Sequence, residues 1–364
     1  MTVAAPVAVP TFEHLLHMTD HRATFEHACM TEPRREHGYC TDDMARVLVV
    51  ASREPDATGE LNGLARKAIQ FLNDAQLHDG TCRNRMDRAG KWTDVPTTKD
   101  HWGRCLWGLG TAAAHSQVGA IRRLAVIQFE RAAKVRSQYP RAMAFAAVGA
   151  TELLGSDPDH PAARHLLADY AASVAKPVGN LEWPWPEPRL TYANAILPEA
   201  MIAAGVALND SKLRQRGLDL LEWLLDFETS DGHLSPTPAE GRGAEDVRPA
   251  FDQQPIEVAA LADACARAAA ADPRPQWPDG IRAAEAWFNG ANDSGQVMWD
   301  PATGGGYDGL LVDGVNLNQG AESTLAVLST LQHARRFSSV PQRRPLASHS
   351  PPVALNASQP TRRA

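Results

Sequence analysis

The strongest constraint on this chain is an alternation between two kinds of helical segment. One kind is amphipathic. In Leu61–Ala75 the residues Leu61, Leu64, Ala65, Ala68, Ile69 and Leu72 fall on one helical face, with Arg66, Lys67 and Asn73 opposite. Segments near Ile121–Val135, His160–Val174, Leu213–Leu225 and Gly280–Phe288 share this pattern. The other kind is apolar nearly all round and rich in Ala and Gly: Met44–Ala51, Cys105–Ala114, Ala142–Leu154, Ala195–Leu208, Ile256–Ala270 and Ala321–Leu331. A helix with no polar face needs neighbours on every side, and small residues let them approach closely. The amphipathic segments therefore read as outer helices and the apolar ones as inner helices.

The two kinds recur at a spacing of roughly 40–65 residues, the mark of a repeat architecture. Strand signal is almost absent. Six inner segments closing on themselves predict an all-α fold, an (α/α)6 double-ring toroid; an open solenoid of the same pairs is the alternative. The pairs Asp79-Gly80, Gly179-Asn180, Asp231-Gly232 and Ser294-Gly295 follow outer segments and predict turns, some of them tiny hairpins. Residues 1–11 read as a flexible N-terminus, 12–336 as the toroid and catalytic domain, and the Pro/Ser/Arg-rich residues 337–364 as a disordered tail.

A polar cluster introduces each inner segment. These are His37-Gly38-Tyr39-Cys40-Thr41-Asp42-Asp43, Lys99-Asp100-His101-Trp102-Gly103-Arg104, Tyr139-Pro140-Arg141, Thr191-Tyr192-Ala193-Asn194 with Glu199, Phe251-Asp252-Gln253-Gln254-Pro255 with Glu257, and Asn316-Leu317-Asn318-Gln319 with Glu322. In a toroid the inner helices start on one rim, so the clusters converge on one mouth. Taken singly, each could be a helix cap satisfying orphan N–H groups. All of them in register, with more polar groups than capping needs, predict a ligand site. Carboxylates, amides and arginines pair with sugar hydroxyls, and aromatic rings pack on a sugar's C–H face, whereas neither an apolar ligand nor a phosphate suits this composition.

Two adjacent carboxylates at a helix start repel unless something uses or neutralises them, which singles out Asp42 and Asp43, with Arg46 a candidate neutraliser. Opposed carboxylates are the minimal equipment for glycoside hydrolysis. Glu257, within an Ala-rich inner segment, is the favoured partner across the pit; its alternative is a first-turn carboxylate favoured by the helix dipole. The catalytic set is thus Asp42, Asp43 and Glu257. The expected substrate contacts are His37, Tyr39, Arg46, Asp100, His101, Trp102, Arg104, Trp183, Trp185, Asn194, Glu199, Asp252, Gln253, Gln254, Tyr307, Asp308, Asn318, Gln319 and Glu322.

Several function classes fall away. A formal net charge of −7 without a basic stripe argues against nucleic acid. No apolar run approaches the roughly 20 residues that span a bilayer, and the N-terminus makes a poor signal peptide. The five cysteines are widely spaced without a C-x-x-C pair, which fits reduced thiols in a cytoplasmic protein. Cys29, His37 and Cys40 lack metal-site spacing, and Gly108-Leu109-Gly110 follows no strand, so neither a metal nor a dinucleotide cofactor is expected. The expected partner is an oligo- or polysaccharide substrate, and nothing in the sequence marks an oligomeric state.

The segment HGYCTDDMARVLVV, His37–Val50, resembles a GYxTDDxAR block of bacterial (α/α)6-toroid glycoside hydrolases. The chain is similar in overall look to the mycobacterial methylmannose polysaccharide hydrolases, which are endo-α-1,4-mannanases. An adjacent Asp pair also serves as nucleophile and acid/base in toroidal endo-α-1,6-mannanases. The resemblance implies a glycoside hydrolase cleaving α-mannosidic bonds of an intracellular (methyl)mannose chain, endo-acting, with Asp42 and Asp43 in the catalytic centre. Cross-pit pairing of one aspartate with Glu257 implies inversion of configuration, whereas an acid and nucleophile drawn from the pair itself implies retention. Three other readings compete. A sugar epimerase or isomerase would need paired histidines, for which only His37 and His101 are candidates. A phosphorylase or transferase would need a basic pocket, thinly offered by Arg104 and Arg141. The last is a non-catalytic glycan-binding toroid.

Overall fold

The computed structural model describes residues 8–174 and 183–338. Among these are twelve helices: α1 (Glu13–His17), α2 (Thr41–Arg53), α3 (Gly59–Ala75), α4 (Asp100–His115), α5 (Gly119–Ala132), α6 (Pro140–Ser156), α7 (Pro161–Ser173), α8 (Ile196–Ala207), α9 (Ser211–Phe227), α10 (Pro255–Ala271), α11 (Gln276–Phe288) and α12 (Ala321–Ser338). The even-numbered helices are the apolar segments, and each packs on the next around a ring. The ring closes where α12 meets α2, which rules out the open solenoid. At one end of that seam Arg46 reaches Glu322; at the other Gln332 and Arg335 bond Glu54. Inner helices therefore run parallel, with their N-termini on a single rim. The chain is an (α/α)6 double ring.

Outer helices α3, α5, α7, α9 and α11 each bury one stripe against their inner partner. The sequence pattern named these five only. The sixth outer position is taken by α1, a five-residue helix packed on α12 and α3 and too short to show a helical period. Local chemistry starts the outer helices: the Thr58 side chain accepts from Leu61 N (3.2 Å), and Asp210 accepts from Lys212 N and Leu213 N.

Among the described residues, extended structure amounts to five short antiparallel strand pairs and a few isolated bridges. One is a hairpin of Thr229–Ser230 with His233–Leu234, closed by Asp231-Gly232 with φ of 51° and 84°, the turn anticipated there. A bridge from Asn289 to Val297 spans Ser294-Gly295, and one from Gln76 to Cys82 spans Asp79-Gly80. Gly179-Asn180 and most of the predicted tail lie outside the described residues. The helix α12 continues to Ser338, two residues past the boundary read from the sequence.

Glycine sets how near two inner helices come. On α4 and α6, Gly110 and Gly149 face each other so closely that a Cβ on either would overlap the opposite backbone. Replacing Gly149 by Val should therefore lower the unfolding free energy by at least ~2 kcal/mol, because the helices must separate. Denaturant titration tests this, and an unchanged midpoint would be incompatible with the contact.

Candidate functional site

At the start of α2 the aspartates have different surroundings. Cys40 caps the helix: its sulfur accepts from Asp43 N at 3.4 Å and its thiol donates to Asp43 Oδ2 at 3.1 Å. Arg46 Nη1 donates to Asp43 Oδ1 at 2.7 Å, and its Nη2 to Glu322 Oε2 at 2.6 Å. Burial pushes the Asp43 carboxyl up to about 7; Arg46 opposes this, while the Glu322 and Glu26 carboxylates add to it. Asp42 points elsewhere. It accepts from Arg104 Nη1 of α4 at 2.8 Å and from Asn84 Nδ2 at 2.9 Å, and its side chain keeps 17% exposure. Burial works against its charge, but Arg104 and Arg46 outweigh that and hold the carboxyl below the usual carboxylate range.

The opposite wall is built from the starts of α6, α8 and α10. Arg141 clasps both oxygens of Glu187 (2.6 and 2.8 Å) and donates to Tyr192 O and Asn194 Oδ1. Asn194 passes the connection on, donating through Nδ2 to Glu257 Oε2 at 3.1 Å. Glu257 also accepts from the backbone N–H groups of Ala193 and Asn194. It thus caps the entry to α8, not its own helix. Burial first, then the Glu228 carboxyl, push it up to about 8 against those N–H donors. Arg46 and Ala193, which Asp43 and Glu257 hold, line one axial cavity.

That cavity measures only about 30 Å³, room for a water or two and not for a sugar ring. The expected deep pit is filled. Arg53 and His333 meet Asp263 at 2.7 and 2.6 Å, and Arg267 bonds Glu152, which also meets His115. Asp263 and Glu152 are held well below the carboxylate range despite burial, by Arg53 and by Arg267 respectively. Any sugar site is therefore the rim itself, where Asp42, Asp100, Glu187, Tyr192, Gln254 and Glu322 keep exposure.

The rim departs from several sequence expectations. Trp102 is fully buried, with Nε1 on Ala132 O of α5. Asp100 and Arg104 share one helix face, and Trp102, two residues along, points to the other. His101 turns its Nε2 to Cys82 O (3.0 Å). Tyr39 is buried against Phe25 with its hydroxyl on Asp20, and Trp185 packs with Trp183 around Trp223 of α9, so these rings belong to the core. Gln253 is buried in backbone pairing with Leu310, and its amide donates to Asp293. Gln319 and Asn318 tie the entry of α12 to His14 and Met30. Asp308 accepts from Gly320 N and Ser323, Tyr307 packs partly buried beside it, and Asp252 sits half-buried against Gly309. His37 is exposed and pairs edge-on with His27. Glu199 lies below the rim on the cavity wall, 3.7 Å from Arg267. Asn84, Glu187 and Arg141 join the site without having been expected among its residues. Arg141 belongs to the cluster Tyr139-Pro140-Arg141, but Asn84 and Glu187 lie in loops with no pattern to mark them.

Glu26, Cys40 and Asp43 could together offer ligand atoms to a metal ion, but Arg85 and Arg46 already neutralise the two carboxylates. Among the described residues no helix is long and apolar enough to cross a membrane.

No protein-family model and no curated protein matches the sequence. The fold has clear counterparts among solved structures. A sugar epimerase from a ruminal bacterium superposes with a TM-score of 0.64 at 15% identity, covering 89% of this chain and 95% of its own. A D-mannose isomerase gives 0.60 at 11% identity, covering 88% and 94%. An α-1,6-mannanase of Salegentibacter sp. HEL1_6 gives 0.59 at 10% identity, covering 89% and 96%; it was solved with α-1,6-mannotetrose as an inactive variant lacking two consecutive aspartates. At these identities the likeness establishes the double-ring fold.

The raised Glu257 has a thermodynamic signature. Its folded pKa of about 8 lies above the ordinary value of 4.5, so the folded state binds the extra proton between them. The associated stability is present at low pH and is lost as pH rises through 8. Wild type minus Glu257→Gln should show stability falling with pH by up to about 1.4 kcal/mol per unit between roughly pH 5.5 and 7.5. Denaturation curves across that range read it directly, and a flat difference would contradict the buried, proton-binding carboxyl.

Proposed function

We propose that this chain is a glycoside hydrolase that binds an oligo- or polysaccharide across the rim and cleaves α-mannosidic bonds within the chain with inversion. The observation that carries the reading is that two carboxyls at the starts of inner helices, Asp42 partly exposed and Glu257 buried, are driven to opposite protonation states. Asp42 is kept ionised by Arg104 and Asn84, whereas burial keeps Glu257 protonated at neutral pH. One group suited to accept a proton and another suited to donate one are what hydrolysis of an acetal requires. Asp42 activates water, Glu257 protonates the leaving oxygen, and Asp43 positions Arg46. The resemblance of His37–Val50 to mannan-cleaving toroids supports the choice of sugar, as does the mannanase among the structural counterparts. No cofactor enters this chemistry.

The epimerase counterparts favour a second reading, proton transfer at a sugar carbon. It has less behind it here. The cavity lining includes no histidine, His101 is turned to Cys82 and His37 lies exposed.

Incubation with α-1,4- and α-1,6-manno-oligosaccharides should release reducing ends, with first-formed product of inverted configuration by NMR. Asp42→Asn and Glu257→Gln should each lower kcat by at least ~100-fold while binding persists. The kcat profile should fall at acid pH as Asp42 protonates and at alkaline pH near 8 as Glu257 ionises. Epimerised product without new reducing ends, or near-normal turnover in either variant, would overturn the assignment.

A further inference from the structure

A second cavity lies off the axis. Between α6, α7, α8 and α9 is a cavity of about 370 Å³, whose apolar wall is formed by Met143, Tyr170, Leu197, Met201 and Leu220, while Tyr139, Glu187, Arg216 and Asp219 give it a polar part. Its volume is in the range of small-molecule sites, about 300–1,000 Å³. The contrast with the axis is informative. The axial cavity leaves about 30 Å³, whereas about 370 Å³ is open here. Protein interiors close-pack, and apolar side chains facing a void forgo dispersion contacts. A hydroxyl-rich sugar would gain little from the part formed by Met143, Leu197, Met201 and Leu220. An alkyl, acyl or aryl group would gain the full transfer energy, and two methionines suit a ligand of irregular shape.

The cavity borders the rim, since Tyr139 and Pro140 at the start of α6 line it. Glu187 borders it and is held by Arg141, which bonds Asn194, which donates to Glu257. Tyr139, 39% exposed, stands just before α6, on the rim where the inner helices begin. A ligand lying across the starts of α6 and α8 would therefore present one end to Glu257 and the other to this cavity.

We infer that the cavity between α6, α7, α8 and α9 binds an apolar substituent carried by the sugar substrate, so that the preferred substrate is an alkylated, acylated or aryl glycoside. This rests on the sugar-binding reading of the rim. It is tested by calorimetry at equilibrium with n-octyl α-D-mannopyranoside below its micelle concentration, methyl α-D-mannopyranoside and 1-octanol. The octyl mannoside should bind at least ~30-fold more tightly than the methyl mannoside, given the methylenes buried, and more tightly than octanol. Met143→Trp and Leu220→Trp, which fill the void from opposite walls, should each remove the octyl advantage and leave methyl mannoside binding unchanged; thermal unfolding confirms that they fold. Equal binding of octyl and methyl mannosides overturns the inference, as does an octyl advantage that survives in a folded Trp variant. Octanol binding as tightly as octyl mannoside, and lost in the variants, leaves the apolar cavity standing and overturns its link to a sugar.

Discussion

Closure of the inner ring is the constraint from which the rest follows. Once α12 packs on α2, the inner helices are parallel and their N-termini share a rim. Each N-terminus brings unsatisfied N–H groups and the positive end of a helix dipole. Acceptors gather there for that reason, and neighbouring helices supply them to one another. Glu257 of α10 caps the entry to α8, while Asp308 serves that of α12. Carboxylates brought in for this purpose end up buried beside arginines from other helices. The same geometry that satisfies the backbone spreads their pKa values apart.

The axis shows the converse. At the far ends of the inner helices, carbonyls and C-terminal dipoles favour cations, and Arg53, Arg267 and Arg335 are found there with Asp263, Glu152 and Glu54. Buried pairs of this kind add little net stability over apolar packing, yet removing one partner leaves an uncompensated charge. They block the ring, so the polar rim can act as a shallow site and not as a tunnel.

The ring order and the inner or outer identity of eleven helices were legible because burial leaves a period in the sequence. That a polar cluster stands at the start of each inner helix was legible for the same reason. The two aspartates could be picked out by adjacency alone. Their difference could not, because Arg104 lies 62 residues from Asp42 and Glu322 lies 276 from Arg46. Nor could a cluster's membership decide direction. Asp100, Trp102 and Arg104 are neighbours in sequence, but a helix turns successive residues through about 100°, which sends the tryptophan to the core.

What the residues determined by themselves was therefore periodic and local: which segments are helices, which are wet, and where polar groups gather at helix starts. Closure of the ring, the filling of its axis and the protonation states of the rim carboxylates belong to tertiary structure. They depend on Coulomb and desolvation energies between groups that sequence separation does not order. A carboxyl's charge is set by what surrounds it within a few ångströms, and folding alone brings those neighbours together.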